Sequence, residues 1–189
     1  MTIHCTSPMD PKQAAQLRAG DTVLLSGVIY TARDAAHARM VQALANGKPL
    51  PIAVRGQTIF YAGPTPTPPG RVSGAIGPTT SVRMDAFTPA LLAQGLLAMI
   101  GKGDRGSAVR EAITECGAVY FSAPAGCAAY LSSCIENIEV VAYEDLGTES
   151  IKRLTVRDLP LMVAIDCEGN DIYELGPQDY LSRSWESAS

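Results

Sequence analysis

The sequence predicts an α/β domain, and three observations carry that prediction. Stretches of β-branched and apolar residues alternate with stretches of helical apolar spacing, the pattern of a sheet covered by helices. The chain has 189 residues and is 47% hydrophobic, which suits one domain with a substantial core. Its 17 glycines and 13 prolines fall between these stretches as punctuation for tight loops, with no repeat, low-complexity tract or dividing linker.

Taken in order, "DPKQAAQLRAG" carries start and stop signals for a short helix: Asp10 as cap, Pro11 in the first turn, Gly20 as stop. "DTVLLSGVIYTA" reads as a strand buried in its middle. "RDAAHARMVQALANG" switches to helical spacing, with Ala36, Met40, Val41 and Leu44 on one face, Asp34 as cap and Gly47 as closure. "TIFYAG" is a short strand running into "PTPTPPGRVSG", too rich in proline to extend a sheet. "TPALLAQGLLAMIGKG" reads as an apolar helix capped by Thr88, with Pro89 in its first turn, and "GSAVREAITECG" as an amphipathic helix ended by Gly117. "AVYFSA" is a buried strand, "AGCAAYLSSC" a small-residue helix, "IEVVAYEDL" a strand and "LMVAIDCEG" a final apolar strand. Residues 1–19 read as an N-terminal extension with one short helix, His4 lying solvated in a frayed start. The body runs from 20 to 177, and 178–189 read as a frayed tail that loses apolar periodicity.

Composition excludes several classes. The net charge is −4 with no Lys/Arg-rich run, so a nucleic-acid partner is not expected. No apolar run reaches the length of a membrane span, and "MTIHCTSPMDPK" lacks the pattern of a signal peptide. Five scattered cysteines (Cys5, Cys116, Cys127, Cys134, Cys167) form no C-x-x-C pair. They read as reduced thiols of a cytoplasmic protein, not as a disulfide frame or a zinc site. With only His4 and His37, a histidine-built metal site is all but excluded.

Familiar catalytic signatures are missing: no phosphate loop, no G-x-G-x-x-G, no G-x-S-x-G elbow. Glu144 and Asp145 adjoin, but neighbours on a strand face opposite ways and do not make an acid/base pair. What the chain does have is cationic and hydroxyl residues at glycine-rich corners: Arg33 in "YTARDAAH", Thr79 and Thr80 in "GPTTS", Arg83 four residues past Thr79, and Lys102 in "IGKGD". Guanidinium forks, an ammonium, hydroxyls and free amides together suit a small dicarboxylate. Each position also has a plain structural reading. Arg33 can pair with Asp34 or Asp85 at the surface, Thr79 and Thr80 can form a turn or cap, and Lys102 can answer a helix dipole. His37, four residues after Arg33, reads more readily as packed or solvated than as a catalyst.

The stretches "GDTVLLSGVIYTARDAAH", "IFYAGPTPTPPG", "GAIGPTTSVRMD", "MIGKG", "EDLGTESI" and "AIDCEGNDIYELGP" resemble the C-terminal domain of class I fumarases. The same domain forms the β subunit of two-chain fumarases and of L-tartrate dehydratases. The resemblance spans about Gly20 to Pro177, with "TARDAAH" and "GPTTSxRMD" its most specific parts. Two departures stand out: Cys127 in a segment of plain small residues, and Ser150 in place of an alanine.

The resemblance implies a swivelling β/β/α fold. It implies a partner α subunit that carries a four-iron, four-sulfur (4Fe-4S) cluster on three cysteines, its free iron acting as a Lewis acid, in a two-α, two-β complex. The ungrouped cysteines here fit a cluster held by that partner, with no metal in this chain. It implies that Arg33, Arg83 and Lys102 bind substrate carboxylates, and that Thr79 moves the proton beside a carboxylate together with a partner aspartate. A threonine hydroxyl is by itself a weak base, and neighbouring cations lower the cost of its ionisation. The expectation is therefore half of a hydro-lyase active site, hydrating fumarate to malate or dehydrating L-tartrate. The contrasting reading, a non-catalytic assembly or anion-binding domain, would tolerate loss of Arg33, Thr79, Arg83 or Lys102, and all four are present.

Overall fold

A computed structural model describes residues 2–186. The chain opens on strand β1 (Thr2–Ser7), then α1 (Pro11–Ala14), β2 (Thr22–Thr31) and α2 (Asp34–Ala45). A short β3 (Thr58–Phe60) leads through the proline-rich stretch to a 3₁₀ turn, Ser81–Met84, and to α3 (Thr88–Leu92). Then come β4 (Ala98–Gly101), α4 (Ser107–Cys116), β5 (Val119–Ser122), α5 (Ala128–Ser133) and β6 (Ile135–Ala142). A second 3₁₀ stretch, Glu144–Glu149, precedes the long β7 (Ile151–Ile165) and the final helix α6 (Ile172–Glu186).

The α/β expectation holds, in one mixed sheet of seven strands ordered β1-β2-β3-β4-β5-β7-β6. Strands β1 to β5 pair in parallel, each with the next. β7 runs antiparallel to β5, to β6 and along nearly the whole of β2. The pairing therefore closes on itself, from β2 through β3, β4 and β5 to β7 and back. Because β2 to β5 are parallel, their carboxyl ends share one edge, the place where closed parallel sheets, like open ones, bind ligands. β4 is buried at all four positions, as a parallel strand covered on both faces must be. Val109, Ala112 and Ile113 of α4, spaced one helical turn apart, lie buried in the core.

Several expectations are corrected. Thr2–Ser7 does not fray: it pairs residue by residue with Thr22–Gly27, burying Cys5 and Ser7 while His4 stays exposed. The apolar run from Thr88 is not one helix. Five residues are helical, and then Ala98–Gly101 enters the sheet between β3 and β5, because a fully apolar run suits a buried strand as well as a buried helix. Thr88 is no cap either; it is the first helical residue, and its buried hydroxyl donates to the Met84 carbonyl at 2.9 Å. The cap of α2 is Arg33, not Asp34, and no side chain of its own caps that helix. The final apolar strand begins ten residues before "LMVAIDCEG", its first part disguised by Lys152, Arg153, Arg157, Asp158 and Pro160. Glu144 and Asp145 sit in a 3₁₀ stretch and not on a strand.

The chain after Pro177 is helical to Glu186. The Asp171 carboxylate starts this helix by accepting the Tyr173 N–H at 2.8 Å. From Glu174 to Leu181 it is exposed all round, which is why no apolar periodicity announces it. No helix among the described residues is long and apolar enough to cross a membrane.

Candidate functional site

The four corners converge on the shared carboxyl edge of the parallel strands. Arg33 follows the end of β2, and Lys102 immediately follows β4, so the lysine closes a strand and no helix dipole calls for it. The segment Thr79–Ser81 is threaded between the ends of β3 and β4. The Thr79 N–H donates to the Tyr61 carbonyl at 2.6 Å, and the Thr79 carbonyl accepts from the Lys102 N–H at 3.3 Å. Thr80 forms a parallel bridge with Lys102, and the Ser81 N–H donates to the Lys102 carbonyl at 2.9 Å. Thr79 and Lys102 are thus locked side by side by main chain, whatever their side chains do.

Gly101 makes this approach possible. A Cβ there would overlap the Ser81 hydroxyl and come within 3.0 Å of the Tyr61 ring. Ser81 is itself buried, accepts the Lys102 N–H at 3.1 Å and lies 2.8 Å from the Tyr120 hydroxyl, which lies equally close to the Gly103 carbonyl. Burial pushes the Tyr120 phenol up, so it stays a neutral hydrogen-bonding group.

The two arginines meet over one carboxylate. Arg83 Nε donates to Asp34 Oδ1 at 2.8 Å, and Arg33 Nε stands 4.0 Å from Asp34 Oδ2. Glu149 Oε1 lies 3.4 Å from the other side of Arg33, at Nη2. Arg33 Nε and Asp34 Oδ2 are both buried without a hydrogen-bond partner among the described residues. Around Asp34 and Glu149 the two guanidinium groups keep N–H donors to spare. Of the surface pairings foreseen for Arg33, Asp34 is the one found. Asp85 is engaged elsewhere.

Its partner is Arg105, which sequence reasoning passed over because an arginine in "GKGDRG" looks like a surface residue. The Arg105 side chain is fully buried. Its Nε donates to Asp85 at 2.7 Å and Nη2 to Thr88 at 2.9 Å, with the Tyr61 and Tyr120 rings 5.3 and 5.0 Å away. The other Asp85 oxygen takes the Gly106 N–H at 2.6 Å. This network ties the loop after β4 to the turn carrying Arg83. His37 is packed, as the bland reading held. It is wholly buried against Tyr61 and Phe87, and Nδ1 lies 2.9 Å from the Arg33 carbonyl. Burial, more than any neighbour, lowers its pKa to about 4 and keeps it neutral.

No group of three or more His, Cys, Asp or Glu among the described residues could hold a metal ion. Cys5 is buried, Cys116 and Cys127 are exposed, and all five cysteines are free. The donor set of the described residues does not fit an iron-sulfur cluster.

Comparison with known proteins bears on the chain as a whole. The model of the fumarase C-terminus family matches residues 2–176. The chain belongs to that family. Among relatives of this fumarase C-terminus chain, the L(+)-tartrate dehydratase subunit beta of Escherichia coli is 34% identical over 172 residues, covering 88% of this chain and 84% of the relative. The aerobic class I fumarate hydratase of Escherichia coli is 38% identical over 164 residues, 86% of this chain but 30% of the relative. Fumarate hydratase 2 of Leishmania major is 36% identical, with 86% and 29% covered. The chain thus spans under a third of the fumarate hydratases it matches and most of the tartrate dehydratase subunit. The family match also begins at residue 2, in keeping with β1 as part of the sheet.

Proposed function

We propose that this chain supplies the carboxylate-binding half of the active site of an iron-sulfur hydro-lyase that hydrates fumarate to malate. The observation that carries the reading is the placement of Arg33, Thr79, Arg83 and Lys102 on one sheet edge, with the two arginines meeting over Asp34. The other half, as the resemblance implies, belongs to a partner α subunit with the (4Fe-4S) cluster. A two-α, two-β assembly follows from the resemblance.

In this reading, Arg33, Arg83 and Lys102 bind the two carboxylates of the substrate, each arginine through its planar fork and the lysine as a point charge. When the carbon beside a carboxylate loses its proton, negative charge builds on that carboxylate. The same cations then bind more tightly than in the ground state, which is what lowers the barrier. The Thr79 hydroxyl takes or returns that proton, its main chain held on both sides by Tyr61 and Lys102. Buried Tyr61, Tyr120 and Arg105 behind it exclude water and keep the edge rigid.

Dehydration of L-tartrate is the second reading, favoured by the near-complete overlap with the tartrate dehydratase subunit beta. Anaerobic reconstitution with a cluster-bearing α subunit tests both. The complex is expected to turn over fumarate, malate or L-tartrate, whereas the chain by itself is colourless and inactive. Robust fumarate hydration by this chain with no iron present, or a loaded complex inert toward all three, overturns the proposal.

A further inference from the structure

Arg33 is held by a loop that none of the roles above uses. Glu149, at the end of the second 3₁₀ stretch, places one carboxylate oxygen 3.4 Å from Arg33 Nη2. Its other oxygen accepts the Ala35 N–H at 3.1 Å, one of the free donors at the start of α2. That helix has no side-chain cap of its own, so a carboxylate from across the fold serves as one.

The loop itself is braced. Buried Lys152 points its ammonium into the turn, donating to the carbonyls of Gly147 at 3.0 Å and Thr148 at 3.1 Å and to the Ser150 hydroxyl at 2.7 Å, with the Ser150 carbonyl 3.4 Å away. The Ser150 hydroxyl in turn donates to the Gly147 carbonyl at 2.7 Å. At the far end of the loop, Arg39 takes both oxygens of Asp145, at 2.8 and 2.5 Å, pinning it to α2. Gly63 lets the parts close up: a Cβ there would stand 2.8 Å from the Thr148 carbonyl and 3.5 Å from Arg33.

We infer that Glu149 is a positioning residue for Arg33, and that the loop braced by Lys152 exists to hold it in place. A flexible arginine side chain loses much freedom on binding a carboxylate. A fixed carboxylate on one side of the guanidinium makes that loss part of folding, leaving the remaining N–H groups aimed at the substrate. Asp34 on the second side and His37 on the Arg33 carbonyl complete the fixation. The inference rests on Arg33 as a carboxylate anchor.

The test is a double-mutant cycle in the reconstituted complex, with KM, kcat and melting temperature read for Glu149→Ala, Glu149→Gln, Arg33→Ala and the double variant. Glu149→Ala is expected to raise KM about tenfold, and to change it less than about twofold when Arg33 is already alanine. Glu149→Gln, which still caps Ala35, is expected to restore the melting temperature but not the whole of KM. In the chain by itself, the Arg33 Nε–H proton, buried and without a hydrogen-bond partner among the described residues, is expected to exchange slowly with solvent, and quickly in Glu149→Ala. Effects of equal size with and without Arg33, or a slow Nε–H in both proteins, overturn the positioning role while leaving Arg33 as anchor. An Arg33→Ala complex with unchanged KM overturns the anchor, and the role of Glu149 with it.

Discussion

Mild acid is expected to loosen this protein through one residue, His37. Its ring is fully buried, and Nδ1, against the Arg33 carbonyl, carries the proton. Nε2 is therefore a bare acceptor, buried without a hydrogen-bond partner among the described residues. A second proton there would place a charge in the core near Arg105, a cost that the Arg33 carbonyl and Asp34 offset only in part. The folded pKa is accordingly about 4, against 6.5 for an exposed ring. Since the folded value is depressed, the unfolded chain takes up the proton first. Stability is fully present above pH 6.5 and is lost progressively as the pH falls toward 4. Linkage puts the loss at about 2.5 kcal/mol by pH 4.5 and about 3 kcal/mol by pH 4. For a chain of this size, 2.5 kcal/mol is a fall of about 5–10 °C in melting temperature. Asp171, whose carboxyl burial pushes up, works in the opposite sense but is common to wild type and variant. Urea unfolding of wild type and His37→Leu at pH 7 and pH 4.5 isolates the histidine. The variant gives up the ring's hydrogen bond, about 1 kcal/mol at pH 7, but is expected to lose about 2.5 kcal/mol less than wild type on acidification. Equal losses in the two proteins would refute the reasoning.

Two further perturbations address the site. Thr79→Val in the reconstituted complex is expected to lower kcat about 10²- to 10⁴-fold with KM little changed, as for loss of a general base, while Thr80→Val is mild. A Thr79→Val complex that still exchanges the substrate's carbon-bound hydrogen in deuterated water at the normal rate removes Thr79 from the proton transfer. Gly101→Ala drives a methyl group into the Ser81 hydroxyl and the Tyr61 ring, so it is expected to cost about 1–3 kcal/mol of stability and to lower activity by parting Thr79 from Lys102. Urea unfolding and steady-state kinetics check both, and a variant of wild-type stability and activity would show that the strands do not need this close approach.

Much of this protein was legible in the chain itself. Local chemistry settles local structure, so the alternation of periods, the Asp10 cap and the Gly117 stop marked most elements where they occur. The corners at Arg33, Thr79, Arg83 and Lys102 were visible because glycine, proline, hydroxyl and cation together have no use in a core. What sequence could not decide was anything set by long-range pairing. "LLAMIG" is apolar whether helix or strand, and only the gap between β3 and β5 made part of it β4. The first part of β7 hid its membership behind charge, because Arg153 and Arg157 face solvent while Lys152 is buried to brace the turn before it. Burial of Arg105 depended on Asp85, Thr88 and two tyrosines distant in sequence. Glu149 reaches Arg33 across 116 residues of chain. An isolated charge reads as solvated in any window of sequence. Only a fold that brings its counter-charge into place can make it buried, paired and useful.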